Sequence, residues 1–178
     1  MHSDWSDGVD SMESMVLSAI QNNLKLIAFT EHSPHILRNR YLDHTYLFNQ
    51  QKEIDGLNQK FSTRIKILKG VEVDILGDGS LDLTDAILER MEIVIASMHT
   101  KFDQSREMIT SRFIKAIENP YVNIIGHPGG RLYPMSDYTD LNWDQVFQAA
   151  ANNQVALEIN SHKSHPLFDG QRVNQAAM

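Results

Sequence analysis

Apolar positions along this chain alternate between a helical and a strand period. Met12, Met15, Val16, Ala19 and Ile20 recur at helical spacing. Asp10 stands where a helix cap is expected, and Glu13 follows three residues on, as in a capping box. Leu26-Ile27-Ala28-Phe29 is a short apolar run that predicts a buried strand. Residues 43–60 are polar with scattered apolar positions (Tyr46, Leu47, Ile54, Leu57) and predict a helix. Ile65 to Ile75 is rich in β-branched residues and predicts a strand, closed by a turn at Gly77-Asp78-Gly79-Ser80. A short helix over Asp85–Arg90 leads into the strand Ile93-Val94-Ile95-Ala96. Met108, Ile109, Phe113, Ala116 and Ile117 form a helical stripe that Asn119-Pro120 stops. Val122–Ile125 is the next strand. Asn142 caps a helix with Val146, Phe147, Ala150 and Ala151 on its inner face, and Val155–Ile159 closes the series. Helices that alternate with short apolar strands imply an α/β fold with a parallel sheet and right-handed crossovers. Neither a glycine-rich dinucleotide fingerprint nor a phosphate-loop signature is present.

The polar residues that follow each strand carry the chemistry. Phe29 is followed by Thr30-Glu31-His32, and Val71 by Glu72 and then Asp74. Ala96 is followed by Ser97-Met98-His99, Ile125 by Gly126-His127-Pro128, and Ile159 by Asn160. Parallel strands gather such residues at one rim, where catalytic groups of β/α barrels sit. One histidine after a strand is ordinary. Three, with a glutamate between Val71 and Val73, are not, because a carboxylate buried between valines needs a cation. His35 and His44 lie in polar surroundings and read as solvated, whereas His162 and His165 could line the mouth of a site.

Imidazoles mixed with carboxylates suit zinc, manganese or iron rather than calcium. Several on one rim suggest more than one ion. Two divalent ions about 3.5–4 Å apart are a recurring device for phosphate ester hydrolysis. The loop Pro128–Asp140 carries Gly129-Gly130-Arg131 and predicts a substrate wall. Arg131 is the candidate phosphate clamp, with Lys101 and Arg112 as weaker versions. A serine hydrolase fits poorly, since no Gly-x-Ser-x-Gly elbow is present. Paired-carboxylate glycosidase chemistry fits poorly too, because the rim is richer in histidine than in acids.

Composition narrows the field further. Absence of cysteine among the 178 residues excludes disulfides, thiolate metal sites and thiol nucleophiles. A net charge of −7 argues against a basic nucleic-acid clamp. No apolar run approaches the ~20 residues of a membrane span. Met1-His2-Ser3-Asp4 lacks a signal peptide's layout, so a cytoplasmic location without membrane partners is expected.

Five segments, taken in order, resemble the motifs of the PHP (polymerase and histidinol phosphatase) domain. They are His2-Ser3-Asp4-Trp5-Ser6-Asp7-Gly8, Thr30-Glu31-His32-Ser33, Gly70-Val71-Glu72-Val73-Asp74, Ala96-Ser97-Met98-His99 and Gly126-His127-Pro128. Lys69–Leu76, Ile114–Pro120 and Leu157–Asn160 look most like the PHP domain at the C-terminus of bacterial family X DNA polymerases. The resemblance implies a distorted (β/α)7 TIM-like barrel, here partial, with up to three divalent ions. Zn2+ or Mn2+ is expected, with Mg2+ or Fe2+ as alternatives. It implies hydrolysis of phosphate esters, here DNA 3′ ends in the manner of a 3′–5′ exonuclease, with a polymerase domain in cis. Carried over by motif, His2, Asp7, His32, Glu72, His99 and His127 are metal ligands. Asp4 competes with Asp7, and Glu72 bridges two ions. Glu72, His99 and Arg131 are the residues expected to carry catalysis.

The family's first motif is His-x-His, of which this chain holds only the second histidine, His2. The closing Asp-x-His pair is not found after Asn160. The expectation is therefore a single PHP domain over 1–178, lacking its first and closing strands. Two other readings follow from the same resemblance: a phosphomonoesterase of the histidinol phosphatase kind, and a catalytically inert structural module.

Overall fold

The computed structural model describes residues 1–34, 44–129, 140–160 and Ala176. Helices and strands alternate from the start. They are α1 (Met12–Gln21), β1 (Leu26–His32), α2 (His44–Lys60), β2 (Lys66–Asp74) and α3 (Asp85–Leu88), then β3 (Ile93–Ser97), α4 (Arg106–Ile117), β4 (Ile124–Ile125), α5 (Trp143–Asn153) and β5 (Ala156–Leu157). The chain divides into two compact units, one of Met1–Val73 with Leu83–Val94, the other of Asp74–Asp82 with Ile95–Met178.

In the first unit β1 pairs in parallel with β2, in a register that sets Ile27 beside Ile67, Glu31 beside Val71 and His32 beside Glu72. A core cluster of described residues joins its helices to its strands. Met12, Val16 and Ala19 of α1 meet Ile27 and Phe29 of β1, Ile54 and Leu57 of α2, and Phe61, Ile65 and Ile67. Each side chain of the Val, Ile or Phe kind buried in this way stabilises the fold by roughly 1.5–3 kcal/mol. Helix α1 begins one residue later than the Asp10 reading. Ser11 is the cap, its Oγ accepting from the Ser14 amide at 3.3 Å. Leu26 is exposed rather than buried, because it opens β1 at the strand's outer end.

In the second unit β3 pairs in parallel with β4 and β4 with β5, through Ile95–Ile124, Ala96–Ile125, Ile124–Ala156 and Ile125–Leu157. Strands β4 and β5 are two residues each, shorter than the runs Val122–Ile125 and Val155–Ile159. Helix α4 turns Ile109, Phe113, Ala116 and Ile117 inward, but Met108 is exposed. Helix α5 is capped by Asn142, as the sequence predicts, and buries Val146 and Ala150. Ala151 lies on its exposed side.

Arg112 of α4 corrects another expectation. It is fully buried rather than a clamp for substrate. Its guanidinium donates to the carbonyls of Ile75 (2.6 Å), Leu76 (2.9 Å), Thr100 (3.1 Å) and Lys101 (2.9 Å), and to Gln104 Oε1 (2.7 Å). Burial pulls its pKa below the ordinary arginine value, opposed by the carboxylates of Asp74 and Asp78. The group fastens the chain that leaves β2 to the chain that leaves β3.

Candidate metal centre

Three segments of the first unit bring four side chains together. His2 and Asp7 come from the loop ahead of α1, His32 ends β1, and Glu72 lies near the end of β2. The parallel register places His32 directly beside Glu72, so both side chains leave the same face. Glu72 Oε2 is 3.2 Å from His2 Nε2 and 3.6 Å from His32 Nδ1. Asp7 closes the other side, 3.8 Å from His2 Nδ1 and 3.5 Å from His32 Nε2. The two imidazoles stack with centroids 4.3 Å apart and planes 19° from parallel. Asp7 faces both histidines.

This set fits a divalent cation. One donor atom from each of His2, His32 and Glu72 lies within 4.8 Å of the other two. Two stacked imidazoles repel if both are protonated, while neutral rings offer lone pairs. Glu72 and His32 are buried, at 6% and 8% exposure. His2 Nδ1 is buried without a hydrogen-bond partner, as a nitrogen awaiting a ligand would be. Two imidazoles with the Glu72 carboxylate and no sulfur suit Zn2+, Mn2+ or Fe2+, and Asp7 faces the other ring nitrogen of each histidine.

The loop's shape follows from its small residues. Gly8 donates its amide to the Ser3 carbonyl at 2.9 Å. A Cβ on Gly8 would collide with the His2 carbonyl oxygen and lie 2.6 Å from its carbon. The turn that carries His2 and Asp7 therefore closes only around glycine.

In the second unit His99 and His127 stand edge to face, with centroids 5.1 Å apart. Asp74, which is fully buried, fixes His99. Its Oδ1 accepts from the His99 amide at 3.0 Å and lies 3.3 Å from His99 Nδ1. A carboxylate at Nδ1 selects the Nδ1–H tautomer and leaves Nε2 with its lone pair. Asp82 in turn accepts from the Asp74 amide at 2.9 Å. His127 has a positive φ of 26° and donates its amide to Glu158 Oε2 at 2.6 Å. Ahead of it the chain presses so close to β3 that a Cβ on Gly126 would strike Ser97 Oγ and sit 3.0 Å from Ile95 Cγ2.

The sequence singled out His99 and His127 and named Asp74 without giving it a role, and it gave none to Glu158 either. Asp74 was legible in principle, since it sits two residues after Glu72 in a strand and so shares its face. Glu158 follows β5 and offered no comparable signal. Arg131, His35, His162 and His165 lie outside the described residues, and His44 is described only as the start of α2. Lys101 contributes its carbonyl to Arg112, from a backbone at φ 59°.

The family model described as PHP domain matches residues 1–162. Among curated proteins, the DNA polymerase/3′-5′ exonuclease PolX of Bacillus subtilis (strain 168) is 41% identical over 162 residues, covering 91% of this chain and 28% of the relative. A probable phosphatase of Caldanaerobacter subterraneus subsp. tengcongensis is 38% identical over 147 residues, covering 80% of this chain and 53% of the relative. The chain thus spans between about a quarter and half of these relatives' lengths. Among solved structures, the histidinol phosphate phosphatase of Lactococcus lactis subsp. lactis, complexed with zinc, L-histidinol and phosphate, aligns with a TM-score of 0.64 at 23% identity, over 99% of this chain and 76% of that one. A putative histidinol phosphatase of Listeria monocytogenes aligns with a TM-score of 0.69 at 14% identity, over 99% and 88%. At those identities the likeness is one of fold: α/β with a parallel sheet, in keeping with a partial (β/α) barrel.

Proposed function

This chain belongs to the PHP domain family, and we propose that it is a metal-dependent phosphoesterase that hydrolyses the 3′ ends of DNA as part of a family X DNA polymerase. The observation that carries the reading is the meeting of His2, Asp7, His32 and Glu72, with Glu72 Oε2 shared between two imidazoles. We assign these four as ligands in the first unit, and His99 and His127 as ligands in the second. Bound divalent ions would supply Lewis acidity and an activated water.

The chain's own residues supply position and charge. Glu72 would hold the ions through its carboxylate. Its burial strengthens each contact that Oε2 makes. Asp74 holds His99 in the tautomer that presents Nε2. Arg131 is assigned to a non-bridging phosphate oxygen, whose geometry suits a planar guanidinium. Hydrolysis adds water across the terminal P–O bond. Oxygen from water joins phosphorus, and the 3′ oxygen of the penultimate nucleotide leaves with a proton. No protein nucleophile is required.

The 41% identity to a polymerase/exonuclease supports DNA as substrate and a polymerase domain in cis. A second reading, small phosphomonoesters, draws support from the 38% identical probable phosphatase. One assay separates them. The chain, stripped of metal and reloaded with Mn2+ or Zn2+, is offered single-stranded DNA with a free 3′ end and, separately, histidinol phosphate. Release of 5′-mononucleotides from the 3′ end is expected, with Glu72→Gln slower by about 100-fold or more. Turnover of histidinol phosphate alone would favour the second reading. Metal binding with neither activity would leave the inert structural module.

A further inference from the structure

Glu31 is a carboxylate with no role in the site as described, yet it is fully buried. It neighbours His32 in β1, so the two side chains leave opposite faces of the strand. On its own face Glu31 meets the loop ahead of α1. The Ser3 amide donates to both of its oxygens, at 2.9 and 3.1 Å, and Ser3 Oγ donates to Oε1 at 2.6 Å. Ser6 Oγ donates to Oε2. Among the described residues no lysine or arginine pairs with Glu31, and neutral donors from one loop surround its two oxygens.

The two serines are placed tellingly. Ser3 follows His2 and Ser6 precedes Asp7. Each residue that Glu31 grips is thus one peptide bond from a side chain of the candidate centre. We propose that Glu31 is the positioning residue that holds His2 and Asp7 in place for the metal, fixing the loop before any ion arrives. The inference rests on the ligand assignment made under Proposed function. Strand β1 then serves the centre twice, delivering His32 from one face and anchoring the loop from the other. Helix α2 adds further anchors: Tyr46 donates its hydroxyl to the Trp5 carbonyl, and Glu53 accepts from Trp5 Nε1 at 2.7 Å. Both hold Trp5, which is adjacent in sequence to neither His2 nor Asp7.

The test is Glu31→Gln, which keeps the shape but turns one acceptor into a donor facing other donors. Two quantities are read: amide hydrogen exchange of residues 1–10 in the metal-free chain, and affinity for Zn2+ or Mn2+ by competition with a chelator. Exchange over 1–10 should quicken about tenfold or more while β1 and β2 keep their protection. Metal affinity should fall about 10- to 100-fold. Val16→Ala, a core change in α1, controls for lost stability and should leave affinity near that of the unaltered chain. If Glu31→Gln does not fold, Ser6→Ala, at a partly exposed position, removes one grip and should move both readouts in the same direction by a smaller factor. Unchanged exchange, unchanged affinity, or an equal loss in Val16→Ala would overturn the proposal. An unaltered chain that binds neither ion is a different failure, that of the proposed function.

Discussion

At the scale of single residues, the candidate centre depends on side chains that are absent as much as on those present. Gly8 is the clearest case, because the atoms its Cβ would meet belong to the His2 backbone and cannot rotate away. Gly8→Ala is expected to lower stability by about 1–3 kcal/mol, the usual cost of overpacking. It should weaken metal binding as well, since relief comes only by moving His2. Urea unfolding and chelator competition on one sample check both effects, and a variant with normal affinity would show that the loop's path is not critical. His2, His32, Glu72, His99 and His127 were legible from the sequence as polar residues at strand ends or within family motifs. The residues that orient them were harder to see. Asp74, Glu31 and Glu158 act through a register, a strand face and a backbone amide, and those relations exist only once the strands are paired.

Among elements, the link from Glu92 to β2 shows how a strand entry is secured. The Glu92 amide donates to the Lys69 carbonyl at 2.7 Å, its carboxylate accepts from the Lys69 amide at 2.9 Å, and Lys66 Nζ lies 3.1 Å away. Partial burial pushes the Glu92 carboxyl up, but the Lys69 amide and the Lys66 ammonium together hold it below the ordinary range. A carboxyl depressed in the folded state contributes stability above its unfolded pKa, near 4.3, and that contribution disappears as pH falls through the folded value. Glu92→Gln should therefore be less stable at pH 7 by about 0.5–1 kcal/mol, given its exposure. The gap should close on acidification below about pH 4, as denaturant midpoints across pH will show. A constant gap would mean that packing, not charge, accounts for the loss. Elements themselves read well from periodicity, because long stripes such as Ile109–Ile117 leave little ambiguity. The ends of β4 and β5 did not. Apolar runs at Val122–Ile125 and Val155–Ile159 cannot say how many residues find a ladder partner, and Ile159 is exposed at 58%.

For the molecule as a whole, the proposal makes bound metal part of the folding free energy. An ion held only by the native state stabilises it by about 2.7 kcal/mol at a hundredfold excess over Kd. For a chain of 178 residues that corresponds to a rise of roughly 5–10 °C in Tm. Melting in a chelator, then with Mn2+ or Zn2+ restored, should show the shift and its reversal. Identical curves would argue for a module without ions. No helix among the described residues is long and apolar enough to cross a membrane. The net charge of −7 also changes meaning with ions present, since carboxylates that count as acidity in the bare sequence become counter-charges. Against this, the Arg112 anchorage needs no ion at all. A guanidinium keeps its proton across the working pH range and shares nothing with a chelator. Thr100 and Lys101, which it grips, directly follow His99. If His99 holds an ion as proposed, removing that ion would leave Arg112 still gripping this stretch of backbone, like a socket that outlasts the bulb, and refilling it would be an act of capture rather than of rebuilding.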